Sequence, residues 1–267
     1  DQTSILNSPK RREYLNRAKR KDTPNTFYEI VKKVKDKNLI FPFVCDDFMT
    51  ISGFLKQISS KFKYIVVMRN PIDLVFTWYR SGRGNRLGKD QRYTNPAFRI
   101  NNIDNLHYSM IDNAKEFNQA SPLEKCFLVI EKQMNSYLKS KLVYSKNSCL
   151  VPFEDYCIKT DKYLKKFEKF LGTKRTKFTI EEMNKANVPR KRDTDMFSLK
   201  ANMVFQNMRA KYVRRLKDLA KKYEIKISDT YKIKDIIEEK TMKYKGLTIA
   251  SFSKISSGSR YIKGRRT

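Results

Sequence analysis

Residues 63–80 have the sequence KYIVVMRNPIDLVFTWYR, which predicts a β-strand followed at once by an α-helix. The run YIVVM at residues 64–68 is apolar and rich in β-branched side chains, as in a strand buried on both faces of a parallel sheet. Asn70 can cap the following helix, and Pro71 can occupy its first position, where the missing N–H costs nothing. We therefore expect a helix from Pro71 to about Ser81.

Two further apolar runs, at residues 38–45 and 149–153, have the same strand-like character. Each is followed by residues with helical spacing, near residues 51–62 and 161–171. A longer amphipathic pattern over residues 122–141 predicts the helix that crosses from one strand to the next. This alternation predicts an α/β domain with an open parallel sheet, helices on both of its faces, and ligands bound beyond the carboxyl ends of the strands.

The two ends of the chain differ in composition from this domain. Residues 1–37 are basic with helix-like spacing, and residues 241–267 contain no Asp or Glu and include Ser/Gly-rich stretches. We therefore predict a basic helical N-terminal segment at 1–37, the α/β domain at 38–240, and a basic, mobile C-terminal tail at 241–267. A basic amphipathic pattern over residues 202–224 predicts one more helix, packed over the sheet.

The net charge of +30, from 58 Lys and Arg against 28 Asp and Glu in 267 residues, predicts attraction to polyanions. Most of the basic residues are Lys spread along the chain, which is equally typical of a solvated surface, so we do not expect a specific nucleic-acid partner. The longest apolar runs hold only a few residues, so we expect no transmembrane segment. The sequence leaves the oligomeric state open.

The four cysteines show no C-x-x-C spacing, and His107 is the only histidine. These residues provide too few ligands in a suitable pattern for a structural zinc site. The cysteines are also too sparse for a disulfide scaffold, which fits a reducing compartment. We therefore expect no metal and a cytoplasmic location.

The chemistry of the chain is expected to lie at the carboxyl end of the strand at residues 64–68. That strand delivers Arg69, and Thr77 follows eight positions later on the helix face shared with Asp73. A guanidinium fork and a hydroxyl placed in this way can converge on one phosphate group. The simpler alternative is that Arg69 pairs with Asp73 in an ordinary α/β protein while Thr77 is solvated.

Residues 69–77 resemble the 3'-phosphate-binding motif of sulfotransferases that use 3'-phosphoadenosine 5'-phosphosulfate (PAPS). In that motif, Arg-x-Pro at a strand end is followed by a helix with Ser eight residues after the Arg; here Thr77 replaces the Ser. The stretch CLVPFEDY at residues 149–156, followed by Phe-Leu-Gly at residues 170–172, resembles a later strand and helix of the same family. The likeness covers roughly residues 39–172 and continues more weakly to residue 224.

This resemblance implies a three-layer open parallel sheet of the P-loop nucleotide-binding type. It also implies PAPS as co-substrate, no metal, and transfer of a sulfuryl group to a hydroxyl or amine on a carbohydrate, lipid or small molecule. Sulfuryl transfer makes physical demands similar to those of phosphoryl transfer, because positioning and stabilisation of the equatorial oxygens do most of the work.

Two basic segments are further candidates for ligand contacts. Arg190, Lys191 and Arg192 lie about where the family has a basic loop over the 3'-phosphate, although the usual Arg-Lys-Gly pattern is not intact. Arg83 and Arg86 lie in a Gly-containing loop after the helix, where they can face an anionic acceptor. A merely solvated turn or loop is the alternative in both cases.

Two expected parts of such an enzyme are not evident. The family has a Gly/Ser/Thr-rich loop that holds the 5'-phosphosulfate, but residues 1–38 contain no glycine. We therefore expect the chain to be truncated at its N-terminus relative to the family and to transfer little sulfuryl group by itself. The candidate general bases are Asp46 and Asp47, although Asp47 is equally suited to cap the next helix.

Two other function classes remain open at this point. A nucleotide or sugar kinase on the same kind of sheet would need an upstream G-x-x-x-x-G-K-[ST] loop and Mg²⁺ ligands. A nonenzymatic basic protein would bind nucleic acid with an affinity that falls steeply with salt and shows no preference for a 3'-phosphorylated nucleotide.

Overall fold

The computed structural model describes Lys32 and residues 48–58, 62–87, 97–100, 103–140 and 142–236. The chain divides into two compact units, residues 1–46 and 47–267, and all the elements below belong to the second unit. The predicted strand at 38–45, the candidate bases Asp46 and Asp47, and the predicted tail at 241–267 lie outside the described residues. The domain limits at residues 37 and 240 stay a prediction.

The described elements are mostly helical. The helices are α1 (Phe48–Ile58), α2 (Pro71–Arg80), α3 (Arg83–Arg86), α4 (Ala114–Asn118), α5 (Pro122–Lys139), α6 (Phe153–Ile158), α7 (Thr160–Leu171), α8 (Lys177–Ala186), α9 (Thr194–Gln206) and α10 (Ala210–Lys226). The strands are β1 (Tyr64–Met68), β2 (Ala97–Ile100), β3 (Ile103–His107) and β4 (Ser148–Pro152). Short 3-10 helices cover Tyr108–Asn113, Leu142–Tyr144 and Ile233–Asp235.

Strands β1 and β4 form a parallel pair, in register from Tyr64 opposite Ser148 to Met68 opposite Pro152. This confirms the strand predicted at residues 64–68 and the parallel pairing. The strand predicted at residues 149–153 corresponds to β4, but Phe153 is the first residue of α6 and not part of the strand. Pro152 has no N–H to donate to a ladder, so the strand ends at that residue.

Alternating side chains of this pair face two different helical layers. Val66 and Met68 join the main core, which also contains the apolar faces of α2, α5, α9 and α10. Cys149 and Val151 face the other way and pack with Tyr163 of α7 in a smaller cluster. The described sheet therefore has helices on both faces, while the full three-layer open sheet stays a prediction.

Several predicted helices are confirmed with small changes at their ends. Helix α2 begins at Pro71 and is capped by the Asn70 side chain. Helix α5 covers Pro122–Lys139, two residues shorter than the predicted 122–141. Helix α7 begins one residue early and ends at Gly172, whose φ of 72° places it in the left-handed region that favours glycine.

Other predictions about the elements are wrong. The single helix expected at residues 202–224 is two helices, α9 and α10, separated at Asn207. The Asn207 side chain donates back to the Met203 carbonyl, and the Arg209 backbone N–H donates to Glu124 instead of continuing a helix. The helix predicted near residues 51–62 is present as α1, which begins three residues earlier, at Phe48, whereas the β2–β3 hairpin and α8 were not predicted.

Two glycines shape the connection from α2 through α3 to α5: Gly82 precedes the first residue of α3, and Gly84 lies within α3. Gly82 has a φ of 73°, a conformation that L side chains rarely adopt. A Cβ at Gly84 would collide with the Pro122 carbonyl at the start of α5. These glycines therefore allow a tight turn and a close approach between α3 and α5.

Glu124 joins the first turn of α5 to the first turn of α10. It is only 2% exposed and accepts hydrogen bonds from the Ser121 N–H at 2.8 Å and from the Arg209 guanidinium at 2.7 and 2.8 Å. Burial alone would raise the pKa of Glu124, but these hydrogen bonds outweigh it and lower the pKa to about 2. The carboxylate is therefore a charged structural link between two helix ends.

Replacing Glu124 by Gln should destabilise the protein, because the Arg209 guanidinium loses its buried counter-ion. Because the Arg209 side chain is 50% exposed, we expect a loss below that of a fully buried pair, about 1 to 3 kcal/mol in the free energy of unfolding, measured by urea denaturation. Because the folded-state pKa of Glu124 is depressed, its contribution is present at neutral pH and is lost as the pH falls from about 4.5 towards about 2.

The matched control is Glu182→Gln. Glu182 also forms an ion pair, with Lys185, but the two side chains are 70% and 68% exposed. Its replacement should cost about 0.5 kcal/mol or less. Equal losses for the two variants would show that the Glu124 link does not stabilise the helix ends.

Candidate functional site

The turn between β1 and α2 is fixed by three hydrogen bonds of Asn70. Its side-chain Oδ1 accepts from the Ile72 N–H at 3.0 Å, its Nδ2 donates to the Tyr231 carbonyl at 3.3 Å, and its backbone N–H donates to Glu154 Oε1 at 2.7 Å. Asn70 is 1% exposed. This rigid turn determines where the preceding residue, Arg69, leaves the sheet.

Arg69 and Lys200 share one carboxylate, that of Asp73 in the first turn of α2. The Arg69 Nε donates to Asp73 Oδ2, and the Lys200 Nζ donates to Asp73 Oδ1 at 2.7 Å. The side chains of Arg69, Asp73 and Lys200 are 25%, 11% and 22% exposed. Two cations on one carboxylate leave the cluster with one positive charge in excess, in a largely buried place.

The Arg69 guanidinium is oriented from two sides. The Arg69 Nε donates to Asp73, and the Arg69 guanidinium lies over the Phe153 ring, with its Cζ 4.8 Å from the ring centre. Among the described residues, the Nη1 and Nη2 atoms have no hydrogen-bond partner. As far as the described part of the chain is concerned, the end of the guanidinium fork is therefore available to an oxyanion.

Thr77 lies one helical turn beyond Asp73, and its hydroxyl donates to the Asp73 carbonyl at 2.8 Å. Its side chain is partly exposed. The Arg69–Asp73 ion pair predicted by the simpler alternative is thus present. This ion pair uses only the Nε of Arg69 and leaves the rest of the guanidinium unpaired among the described residues. Arg69 can therefore pair with Asp73 and bind a phosphate at the same time.

Beneath the turn, Glu154 is held by Tyr223 of α10. The Tyr223 hydroxyl lies 2.6 Å from Glu154 Oε2 and 3.1 Å from the Met68 carbonyl oxygen. A phenol has one hydrogen and cannot donate to both oxygens at once. Burial raises the pKa of Glu154; hydrogen bonds from Tyr223 and from the backbone partly oppose this, and the nearby Asp73 adds a small further increase. The raised pKa favours a protonated carboxyl that donates to Tyr223, which in turn donates to Met68.

The predicted basic loop is only partly directed towards this site. Arg190 donates from Nε and Nη2 to the Asn187 and Ala186 carbonyls, at 2.9 and 2.7 Å, and so caps the end of α8. Arg192 pairs with Asp235 and lies over the Tyr231 ring. The backbone carbonyl of Tyr231 accepts the hydrogen bond from Asn70 Nδ2. Lys191 is exposed. The structure therefore links Arg192 to the site through Tyr231.

Arg83 and Arg86 lie at the opposite end of α2. Arg83 lies over the Trp78 ring at 4.1 Å, and Arg86 Nη2 donates to the Ser81 carbonyl at 3.3 Å. A helix of ten residues is roughly 15 Å long, so these arginines and Arg69 are not brought together. The role of Arg83 and Arg86 in binding an acceptor stays a prediction.

His107 neighbours Arg83 and is buried. Burial first, and then the Arg83 charge, lower the pKa of His107 to about 4. Its Nδ1 lies 2.8 Å from the Ser109 hydroxyl. His107 is therefore neutral at physiological pH and caps the 3-10 helix that follows β3.

Comparison of the sequence with models of known protein families shows to which family the chain belongs. A family model described as "Sulfotransferase domain" matches residues 25–246. The chain belongs to the sulfotransferase family. The matched range of this sulfotransferase includes every described element and extends beyond the predicted domain limits of 38 and 240. No curated protein and no solved structure matches the sulfotransferase at a significant level.

The sequence did not identify Lys200 or the contacts of Glu154 and Tyr223. Lys200 is 127 residues from Asp73, and Tyr223 is 69 residues from Glu154, so no local pattern connects them. Within the described part of the sulfotransferase, no three His, Cys, Asp or Glu side chains are grouped as metal ligands. No helix there is long and apolar enough to cross a bilayer.

Replacing Glu154 by Gln tests whether the carboxyl is protonated. Because Gln resembles a neutral carboxyl in shape, we expect the variant to lose less than about 1 kcal/mol at neutral pH. Burial raises the folded-state pKa of Glu154, so the stability that its protonated form contributes is lost as the pH rises through that pKa. Urea unfolding from about pH 5 to about pH 9 should show a loss in the parent that the variant lacks.

Tyr223→Phe is the companion variant, since it removes the hydroxyl between Glu154 and the Met68 carbonyl. It should be less stable than the parent at every pH, by about 1 to 3 kcal/mol, because a buried acceptor is left unsatisfied. A large loss for Glu154→Gln at neutral pH would mean that the native carboxyl is ionised there.

Proposed function

We propose that the sulfotransferase takes its sulfuryl group from PAPS and that Arg69 and Thr77 bind the 3'-phosphate. The observation that carries this proposal is the guanidinium end of Arg69, held in place by Asp73 and Phe153 and without a hydrogen-bond partner among the described residues. A planar fork fixed at the carboxyl end of a parallel strand matches the geometry of two phosphate oxygens.

In the proposed reaction, an oxygen or nitrogen of the acceptor attacks the sulfur while the bond from sulfur to the 5'-phosphate oxygen breaks. The products are a sulfated acceptor and adenosine 3',5'-bisphosphate, and the acceptor's proton passes to a general base. We propose Asp46 or Asp47 as that base. Arg69 and Thr77 act by positioning the donor, since holding a reactant in place removes much of the entropic barrier.

The remaining basic residues are proposed to contact other parts of the two substrates. Arg192, linked to the site through Tyr231, and the exposed Lys191 would contact the nucleotide from its outer side. We propose that Arg190 orients this loop, since its guanidinium binds the end of α8. Arg83 and Arg86, at the far end of α2, would meet anionic groups of a carbohydrate or small-molecule acceptor.

The protein should prefer adenosine 3',5'-bisphosphate to adenosine 5'-monophosphate by at least about tenfold. The additional phosphate meets charge-assisted donors, and a factor of ten corresponds to only about 1.4 kcal/mol. Calorimetric titration with both nucleotides at about 0.15 M salt measures the preference. Equal affinities would contradict the proposed 3'-phosphate site.

Arg69→Lys should reduce bisphosphate affinity by about tenfold or more and change monophosphate affinity little, because Lys keeps the charge but not the planar fork. The matched control is Arg175→Lys, since Arg175 has a similar exposure of 27% and binds Asp161 and Glu168 on the surface of α7. Comparable losses in the two variants would show that Arg69 does not contact the nucleotide.

Thr77→Val should reduce bisphosphate affinity by about threefold to tenfold, because the shape is kept but the hydroxyl, which can turn its one hydrogen from the Asp73 carbonyl to a phosphate, is lost. Thr77→Ser restores the hydroxyl and should bind as the parent does. If Val and Ser behave alike in calorimetric titration, the Thr77 hydroxyl is not a phosphate ligand and donates only to the Asp73 carbonyl.

A further inference from the structure

We propose that Lys200 is an additional cationic ligand of the 3'-phosphate and a determinant of its recognition. Lys200 belongs to α9 and lies outside the strand–helix motif and the basic loop at residues 190–192. This inference rests on the function proposed above, because it assigns a further residue to the same site.

The position of the Lys200 ammonium is fixed by contacts with α2. Its Nζ lies 2.7 Å from Asp73 Oδ1 and 5.7 Å from the centre of the Phe76 ring. The other oxygen of the same carboxylate binds Arg69. The ammonium and the guanidinium are therefore bound to the two oxygens of a single carboxylate, and we infer that one phosphate can contact both.

Charge balance indicates that Lys200 has a role beyond neutralising Asp73. One cation neutralises one carboxylate, and Arg69 already provides it. Holding a second cation in a place where its side chain is only 22% exposed is unfavourable unless an anion balances it. A phosphate carrying up to two negative charges would do so.

The ammonium also has unused hydrogen-bonding capacity. Lys carries three N–H donors, and the described contacts of Lys200 use one of them, on Asp73. The first turn of α2 lies beside it, where the helix dipole favours a bound anion. Arg69, Lys200 and Thr77 thus offer a fork, a point charge and a hydroxyl around the same part of α2.

The alternative is that Lys200 serves only to tether α9 to α2. A tether contributes to the folded state and affects all nucleotides alike. A phosphate ligand affects only nucleotides with a 3'-phosphate. The two roles therefore differ in the ratio of the affinities for the bisphosphate and the monophosphate.

The experiment compares Lys200→Met and Lys200→Gln with the parent protein by calorimetric titration of both nucleotides. Met removes the charge and keeps the length, whereas Gln removes the charge and keeps a donor for Asp73. We expect each to reduce affinity for adenosine 3',5'-bisphosphate by about tenfold, and affinity for adenosine 5'-monophosphate by less than about twofold. Lys185→Met, at an exposed position of α8, should match the parent.

The outcomes separate this inference from the proposed function. If the parent shows no preference for the bisphosphate, the proposed function fails at this site. If the parent shows the preference and both Lys200 variants keep it, Lys200 is not a phosphate ligand, although the proposed function stands. If both nucleotides lose affinity equally, Lys200 is a tether. Should Lys200→Met fail to fold, Lys200→Gln decides in the same way.

Discussion

The candidate site depends on the buried carboxyl of Glu154, which joins four elements at one point. Glu154 belongs to α6, and its carboxyl accepts a hydrogen bond from the Asn70 N–H at the start of α2. The same carboxyl contacts the Tyr223 hydroxyl of α10, which also contacts the Met68 carbonyl of β1. Without this link, the strand end and the helix start would have unsatisfied polar groups in the interior. The position of the Arg69 side chain is well defined because the turn between β1 and α2 is held in this way.

Two carboxyl groups near this turn have different partners and therefore different roles. Glu154 is buried, its described partners Asn70 and Tyr223 are both neutral, and its raised pKa favours the protonated form. Asp73, also mostly buried, is bound by two cations, Arg69 and Lys200. A neutral carboxyl can organise the interior without adding charge, while the Asp73 carboxylate holds cations where a ligand can reach them. The positively charged cluster of Arg69, Asp73 and Lys200 therefore lies beside a buried carboxyl whose raised pKa favours the neutral form.

The parts of the fold that the sequence predicted are those determined by local interactions. The apolar run 64–68, the Asn70 cap and the glycine after α7 each have a cause within a few neighbouring residues. The break between α9 and α10 was missed because it depends on Glu124, which is 85 residues away from Arg209. Lys200 was missed for the same reason, since its partner is on another helix. Arg69 was predictable because its position follows from the end of a strand.

The large positive charge of the chain and the charge of this site act in different ways. Exposed lysines attract any anion over a distance that salt limits to about 8 Å at physiological ionic strength. The net charge of +30 therefore explains a general attraction to anions and favours no single ligand. Arg69 and Lys200 are mostly buried and held on a common carboxylate, so salt screens them less and their directions are fixed. Discrimination between one phosphorylated nucleotide and another must come from such fixed charges, because a mobile surface charge adapts equally to both.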